Sequence, residues 1–459
     1  ILNSSILISG SERELSGVKD HFTLQDERGA FSRGGFDSKK IKNIKFHSVY
    51  KNALALNVGF LYDLVIYLKN NKIKADIEDR REKLFYQNKE FSYEELRSYF
   101  NPDFKYVDHQ INALKRMLTV NRGIIKAPTS SGKSNIILAF CKLVNLKVLI
   151  LVNKKDLGRQ IHDLLNENGF PVLYRDGSKK GAVNKGASYV STIGVAKELH
   201  NNFDVVIVDE CHRASSDTFQ LFLSKSSAKA FYGFSATPEG NHKVDFMKVK
   251  KFLGNIIDEI DIQELIENEV ITYPVITFIE MLMPQIPRNT EWASVNEICI
   301  INNTERNEKI KELAEKHDMA TLILVRNIEH GKELERIIDN SIFVFGEDDT
   351  DIRKEAIDKL TSGEIKVLIA SNIFNEGISI NAIRVLINGA GGKSRVEVIQ
   401  RLGRALRKDE GKEEAIVYDF FDVGQHITQR HSKERMNIYS KVGFPVKVSH
   451  LTFSIMSFF

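Results

Sequence analysis

The run Ala127-Pro128-Thr129-Ser130-Ser131-Gly132-Lys133-Ser134 combines residue types that suit one task, the capture of a phosphate chain. An apolar run from Gly123 to Lys126 leads into it as a strand, and Asn135 to Val144 leads out with helical periodicity. In such a loop the backbone N–H groups of Thr129, Ser130, Ser131 and Gly132 wrap an anion, helped by the positive end of the following helix. Lys133 then reaches the terminal phosphates, and the Ser134 hydroxyl ligates Mg2+. The general pattern has Gly at its first position, where this chain has Ala127. Further on, Phe203 to Val208 is a short β-branched apolar run of the kind that forms a buried parallel strand, and it ends in Asp209-Glu210-Cys211-His212. Acids at the carboxyl end of such a strand lie where open α/β sheets bind ligands. Asp209 is suited to hold Mg2+ through water, and Glu210 to orient and deprotonate an attacking water. A solvated acidic turn accounts for an isolated Asp-Glu, but poorly for one that follows this strand and accompanies a phosphate loop. The combination predicts a nucleoside triphosphatase.

A third cluster, Gln400-Arg401-Leu402-Gly403-Arg404-Ala405-Leu406-Arg407, repeats Arg every third position. A helix beginning here puts the three guanidinium groups near one face. Facing the phosphate loop, they would reach a γ-phosphate and stabilise charge on the transferring group. The alternative is a solvated basic face.

Two strand–helix series must position these residues. The first, over 101–240, has strands at Ile124–Ala127, Lys147–Val152, Ser188–Ser191, Val205–Asp209 and Ala230–Ser235. The second, over 301–459, has them at Thr321–Val325, Ile342–Phe345, Lys366–Ala370, Arg384–Asn388 and Ala415–Asp419. This is an α/β pattern of two tandem doubly wound parallel sheets. Only the first carries a phosphate loop, which predicts that ATP sits in a cleft between the lobes. Residues 241–300, charged and holding Pro274, Pro284 and Pro287, read as a connecting segment. Residues 1–100 read as a small α+β accessory domain, with a strand near Ser5–Ser9, a helix near Leu56–Asn70 and a charged strand or helix after Lys74. Between Arg28 and Lys51 the cations Arg33, Lys39, Lys40, Lys42 and Lys45 face Asp37 as the lone acid, with Phe31, Phe36, Phe46 and Tyr50 interleaved. That mixture suits a nucleic-acid backbone surface. A solvated loop fits it equally well.

Composition excludes several classes. At 459 residues the chain has room for two or three domains with proper cores. Its net charge of +4 is too mild to establish nucleic-acid binding alone. Cys141, Cys211 and Cys299 are odd in number and widely spaced, which argues against a disulfide framework or a zinc site. No apolar run approaches the ~18 residues of a membrane helix. The apolar start, Ile1 to Gly10, lacks a basic flank, so the chain is expected to be cytoplasmic (in a bacterial host, if a phage protein). Because the first residue is Ile1, the gene product is expected to begin slightly earlier. The Phe-rich tail, Phe444 to Phe459, is expected to pack on the second lobe rather than dock a partner.

Over roughly 103–425 the chain resembles the superfamily 2 helicases and translocases, with motifs in the family's order. The loop matches the family's A-x-x-x-x-G-K-[ST] form, which accounts for Ala127. Gln110, in Tyr106-Val107-Asp108-His109-Gln110, resembles the adenine-reading glutamine. Val152-Asn153-Lys154-Lys155-Asp156-Leu157, closing on Gln160, resembles a motif that contacts nucleic-acid backbone, as does Ser191-Thr192. The resemblance implies that Asn153, Lys154 and Thr192 touch the strand, and that His212, Ser235 and Thr237 couple hydrolysis to lobe movement. In the second lobe, Leu324-Val325-Arg326-Asn327 and Ala370-Ser371-Asn372-Ile373-Phe374-Asn375-Glu376-Gly377 resemble further backbone-contacting motifs. They imply strand contacts by Arg326, Asn327 and Ser371, and a nucleotide contact by Gly377. By the same resemblance Gln400, Arg404 and Arg407 join Lys133, Asp209 and Glu210 in catalysis.

The DEAD-box branch has His where this chain has Gln400, and Pro-Thr-Arg-Glu where it has Val152-Asn153-Lys154-Lys155. The Asp-Glu-Cys-His motif, Arg306-Asn307 with Ile310, and Glu376 to Ile380 look like the restriction-and-repair branch of DNA translocases. With its small amino-terminal domain, the chain is most similar to bacteriophage branch-migration helicases of the UvsW type. Ser379 stands where many relatives have Asp, so the inter-lobe contact made by that Asp does not carry over. The resemblance implies an ATP- and Mg2+-dependent monomer acting on forked and four-way DNA, with Lys39, Lys40, Lys42 and Lys45 as added DNA contacts. The alternative is an RNA helicase that opens short duplexes. A non-hydrolysing adaptor is disfavoured by the full set of Lys133, Asp209, Glu210, Arg404 and Arg407. A nuclease-fused motor is disfavoured because no domain is left to house a nuclease.

Overall fold

Buried runs of Val, Ile and Leu become neighbouring parallel strands here because both faces of each strand are covered by helices, leaving no place for alternating polar residues. The computed structural model describes residues 4–32, 35–36, 38–51, 53–103, 106–177, 184–199, 202–240, 242–371, 382–393, 408 and 412–449. Everything below refers to those residues. The chain divides into two compact units near residue 260. In the first, an amino-terminal layer contains β1 (Ser5–Ile8), β2 (Thr23–Asp26), β3 (Phe31–Ser32), β4 (Gly35–Phe36), β5 (Lys42–Lys45), β6 (His47–Tyr50) and β7 (Ala53–Asn57), all paired antiparallel. A seven-stranded parallel sheet follows: β8 (Arg122–Lys126), β9 (Val148–Val152), β10 (Val172–Arg175), β11 (Ser188–Thr192), β12 (Val205–Asp209), β13 (Ala230–Ser235) and β14 (Ile256–Glu259). Its spatial order is β10-β11-β9-β12-β13-β8-β14.

The second unit is built the same way, from β15 (Tyr273–Leu282), β16 (Thr321–Leu324), β17 (Ser341–Val344), β18 (Val367–Ala370), β19 (Val385–Asn388), β20 (Glu414–Val423) and β21 (Val446–Ser449), in the order β17-β18-β16-β19-β20-β15-β21. The molecule therefore consists of two RecA-like lobes with a small α+β layer before the first. Among the described residues no helix is long and apolar enough to cross a membrane.

The structure corrects the reading of residues 241–300 as a connector. The helix Lys243–Leu253 and strand β14 complete the first lobe, while β15 lies inside the second sheet between β20 and β21. Pro274 is tolerated because it lies two residues before the stretch, Ile276–Ile279, that β21 pairs. The segment after Lys74 forms no strand or α-helix as far as the 3-10 turn Phe85–Asn88, and the expected helix at Leu56–Asn70 is β7, a 3-10 turn and the helix Leu61–Asn70. At the carboxyl tail Phe444 is buried and β21 adds to the second sheet; residues 450–459 lie outside the described set.

The amino-terminal layer is joined to the first lobe through the helix Lys243–Leu253. Its core of Phe22, Phe46, Leu54, Leu56 and Phe60 also takes in Val244 and Met247. Arg28 is spent on this seam, with its guanidinium between Asp26 and Asp245 at 2.6 and 2.9 Å, and Lys250 pairs with Asp63. A Cβ on Gly59 would run into the Lys250 carbonyl oxygen and lie 2.6 Å from that of Lys251. Gly59→Ala is therefore expected to destabilise the first unit by about 1–3 kcal/mol, as overpacking does. Chemical denaturation checks this; a midpoint equal to wild type would contradict the close approach.

Arg306 and Asn307, read above only as a branch signature, have a structural task in the second lobe. Arg306 is fully buried, paired with Asp422 at 2.6 Å and lying 4.1 Å from the centre of the Phe420 ring. Asn307 meets His330 Nε2 at 2.9 Å. Arg306 thus fixes the helix Thr304–Glu315 to β20 of its sheet, and Asn307 ties it to the helix Ile328–Ile337.

Candidate active site and nucleic-acid interface

In the first lobe, the carboxyl ends of three adjacent strands bring together the residues expected to carry the chemistry. Register pairs Ser235 of β13 with Lys126 of β8, and Phe234 of β13 with Asp209 of β12, so the phosphate loop, the acidic motif and Ser235-Ala236-Thr237 emerge side by side. The loop leaves β8 with the Ala127 N–H bonded to the Ser235 carbonyl at 2.9 Å. Ser130 and Gly132 adopt left-handed backbone, φ 71° and 85°, which bends the chain into a cradle before the helix Lys133–Val144. The Ser131 hydroxyl donates to the Pro128 carbonyl at 2.8 Å and holds that bend. A side chain at Gly132 would be strained by its φ of 85° and would push against the Gln110 amide. Gln110 is buried on the helix Asp108–Thr119, and its Oε1 has no hydrogen-bond partner among the described residues. That amide is thus available to a ligand on the loop.

Lys133 Nζ lies 3.2 Å from Glu210 Oε1. Burial opposes both charges, yet the pair outweighs it in each direction. Burial lowers the Lys133 pKa, but Glu210 and Asp209 turn the net shift upward. Burial likewise raises the Glu210 pKa, but Lys133 and then His212 hold it well below the ordinary carboxylate range. Glu210 itself sits at φ 48°, a left-handed conformation unusual for a side chain of its size. His212 Nδ1 is 3.0 Å from Ser235 Oγ and 3.4 Å from Glu210 Oε2. Ser235 Oγ donates to Glu210 Oε2 at 3.4 Å and accepts from the Thr237 N–H at 3.1 Å. The acidic motif and the Ser-Ala-Thr segment therefore form one hydrogen-bonded unit. The buried Thr237 Oγ1 has no partner among the described residues.

The donor set fits Mg2+ bound together with a nucleotide. Among the described residues no group of three or more His, Cys, Asp or Glu could hold a metal, and the two oxygen donors expected for it, the Ser134 hydroxyl and the Asp209 carboxylate, stand at the start of the helix Lys133–Val144 and at the end of β12. A hard cation that keeps water and takes phosphate oxygens needs no more from the protein.

The expected strand-contacting residues cluster within each lobe. Asn153 and Lys154 follow β9, whose Val152 pairs with Thr192 of β11, so all three share the carboxyl edge of the first sheet. In the second lobe Arg326 and Asn327 follow β16, and Ser371 follows β18. Leu324 pairs with Ala370, and the Val325 N–H donates to the Ala370 carbonyl at 2.9 Å. Lys39, Lys40, Lys42 and Lys45 are exposed on the amino-terminal layer. Gly377, Gln400, Arg404 and Arg407 lie outside the described residues.

Sequence reasoning misses the network around Arg435. On the helix His426–Lys441, Arg435 is fully buried and pairs with Asp419, while donating to the carbonyls of Gly392 at 2.7 Å and Phe420 at 2.8 Å. Asn388 and Tyr439 complete the Asp419 carboxylate.

Two domain families match the chain and between them cover more than half of it. Residues 103–240 match the type III restriction enzyme res subunit, and residues 305–409 match the helicase conserved C-terminal domain. The ATP-dependent DNA helicase uvsW of Enterobacteria phage T4 is 27% identical, over 68% of this chain and 68% of its own length. The DNA 3'-5' translocase XPB2 of Sulfurisphaera tokodaii is 24% identical, over 69% of this chain and 81% of its own length. Among solved structures, S. cerevisiae Dbp5 bound to RNA and ADP BeF3 shares the fold with a TM-score of 0.54 at 15% identity, over 78% of this chain and 95% of that one.

Proposed function

This chain belongs to the superfamily 2 helicases, ATP-driven enzymes of nucleic acid, and we propose that it is a DNA motor that remodels branched DNA by regressing forks and migrating four-way junctions. One observation carries the motor chemistry: Lys133, Glu210, His212, Ser235 and Thr237 form a single connected unit at three adjacent strand ends. Support for DNA as the substrate comes from relatives named as a DNA helicase and a DNA translocase. Support for branched DNA comes from the UvsW-type resemblance and from the basic layer docked on the first lobe.

In this reading Gln110 reads the adenine, and the N–H groups of 129–132 with Lys133 hold the phosphates. Ser134 and Asp209 hold Mg2+, which when bound neutralises phosphate charge. Glu210 orients the attacking water and takes its proton. Gly377, Gln400, Arg404 and Arg407 act on the nucleotide by the family resemblance. The hydrogen bonds from Glu210 through His212 and Ser235 to Thr237 transmit the state of the γ-phosphate. Asn153, Lys154 and Thr192 on one lobe, with Arg326, Asn327 and Ser371 on the other, hold the strand backbone.

The reading is tested by ATPase rates over single-stranded, duplex, forked and four-way DNA with RNA counterparts. Stimulation is expected from DNA, highest with branched forms; stimulation by RNA alone would replace it with the RNA-helicase reading. The added DNA contacts are tested by neutralising Lys39, Lys40, Lys42 and Lys45 to Gln. Junction binding should weaken, and its log–log salt slope should fall by roughly one unit per lost contact. Equal affinity and an unchanged slope would make this stretch a solvated surface. Substitution is a cleaner test than deleting 1–100, because deletion uncovers Val244 and Met247 of the first lobe.

A further inference from the structure

We propose that Arg326, Lys393 and Arg430, gathered around the Gly391-Gly392 turn of the second lobe, form a phosphodiester-binding site. The proposal rests on the nucleic-acid reading above and extends it to two residues, Lys393 and Arg430, that lie in none of the helicase motifs. The turn follows β19, with Gly391 and Gly392 both left-handed at φ 59° and 80°. Arg326 reaches over it: the place where a Gly392 Cβ would stand is 3.9 Å from Arg326 Nη1. Lys393 is the next residue and is exposed.

The helix His426–Lys441 holds this turn from the other side. Arg435 bonds the Gly392 carbonyl, and its own position is locked by Asp419. Just over one turn earlier on that helix stand the exposed Arg430 and the buried His431. His431 is 6% exposed, and its ring packs edge-on against Trp292 at 4.6 Å between centres. Its Nδ1 is buried and has no hydrogen-bond partner among the described residues. Burial first, and then the charges of Lys393, Arg430, Arg435 and Arg326, push its pKa down to about 4, so the ring stays neutral among these cations.

Arg326, Lys393 and Arg430 form no ion pair with any acid among the described residues. Three cations without an acid partner among the described residues repel one another around this glycine turn, and an anion relieves that repulsion. Arg and Lys side chains on strand and helix ends are suited to backbone phosphate, which positions a strand without reading its bases. Arg326 is shared with the expected strand contacts Asn327 and Ser371 at neighbouring strand ends, so a strand held there would continue onto Lys393 and Arg430.

The test uses the full chain and a fluorescent 20-nucleotide single-stranded DNA, with wild type compared to Lys393→Gln/Arg430→Gln over a salt series. The double variant should bind about tenfold more weakly, with a log–log salt slope smaller by roughly 1.4 units, at about 0.7 per single-strand phosphate contact. Lys393→Arg/Arg430→Lys should retain wild-type affinity, which separates lost charge from lost folding. Variant affinity within twofold of wild type, with the same slope, would overturn this site alone. So would a loss confined to a fluorescent ATP analogue, which would make the anion a nucleotide phosphate. A wild-type chain that binds neither DNA nor RNA would overturn the nucleic-acid reading itself.

Discussion

Glu210→Gln is expected to bind ATP at least as tightly as wild type while its turnover falls on the order of 10²–10⁴-fold, the range of a positioned general base. Glu210 neutralises Lys133 at 3.2 Å, and Lys133, then His212, hold the carboxylate pKa well below its ordinary range against the opposing effect of burial. A phosphate chain that drew Lys133 away would remove the strongest pull on Glu210 and leave burial to raise its basicity. Gln keeps the shape and a hydrogen bond to Ser235 but has no charge to give Lys133, so phosphate meets less competition. Lys133→Ala behaves differently, losing nucleotide affinity itself because it removes the phosphate ligand. Nucleotide binding measured by fluorescence beside single-turnover hydrolysis separates the two. Wild-type turnover in Glu210→Gln would remove Glu210 from the role of base.

Arg404→Ala and Arg407→Ala are each expected to lower kcat far more than ATP affinity. Charge builds on the transferring phosphoryl group mostly in the transition state, so a guanidinium placed there contributes little to ground-state binding. Arginine fingers are worth roughly 10³–10⁵ in rate. Arg401, on the same three-residue spacing, provides an internal comparison, since only 404 and 407 match the family's catalytic positions. Hydrolysis slowed by less than about tenfold in both variants, far below that range, would exclude them as fingers.

The parallel core was legible because a strand covered on both faces has to be apolar throughout. Val148–Val152 and Val205–Asp209 are buried at every position and were read to within a residue. Most strands at or near the sheet margins escaped, although the edge strand β17 is read to within a residue. β10, β14 and β21 are edges; IIDE and VKVS are half polar because one side needs no cover, and VLYR is only four residues long and ends in Arg175. β15 was hidden by Pro274 and Glu280, since its place is set by partners far away in sequence, at 414–423 and 446–449. At the site, the phosphate loop and the acidic pair declared themselves by residue type and by the strands before them. The contact of Lys133 with Glu210 could not be read, because register between β8, β13 and β12 decides it. A buried arginine such as Arg435 looks, in sequence, like any cation on an exposed helix face. Only the placement of Asp419 beneath it reveals a structural anchor.

The central claim, an ATP-driven motor on branched DNA, is tested most directly by strand exchange on a mobile four-way DNA junction. Wild-type protein with ATP and Mg2+ should convert the junction to its two duplex products, and Glu210→Gln should bind the junction but leave it intact. A wild-type protein that hydrolyses ATP, opens short RNA duplexes and leaves the DNA junction unchanged would contradict the account.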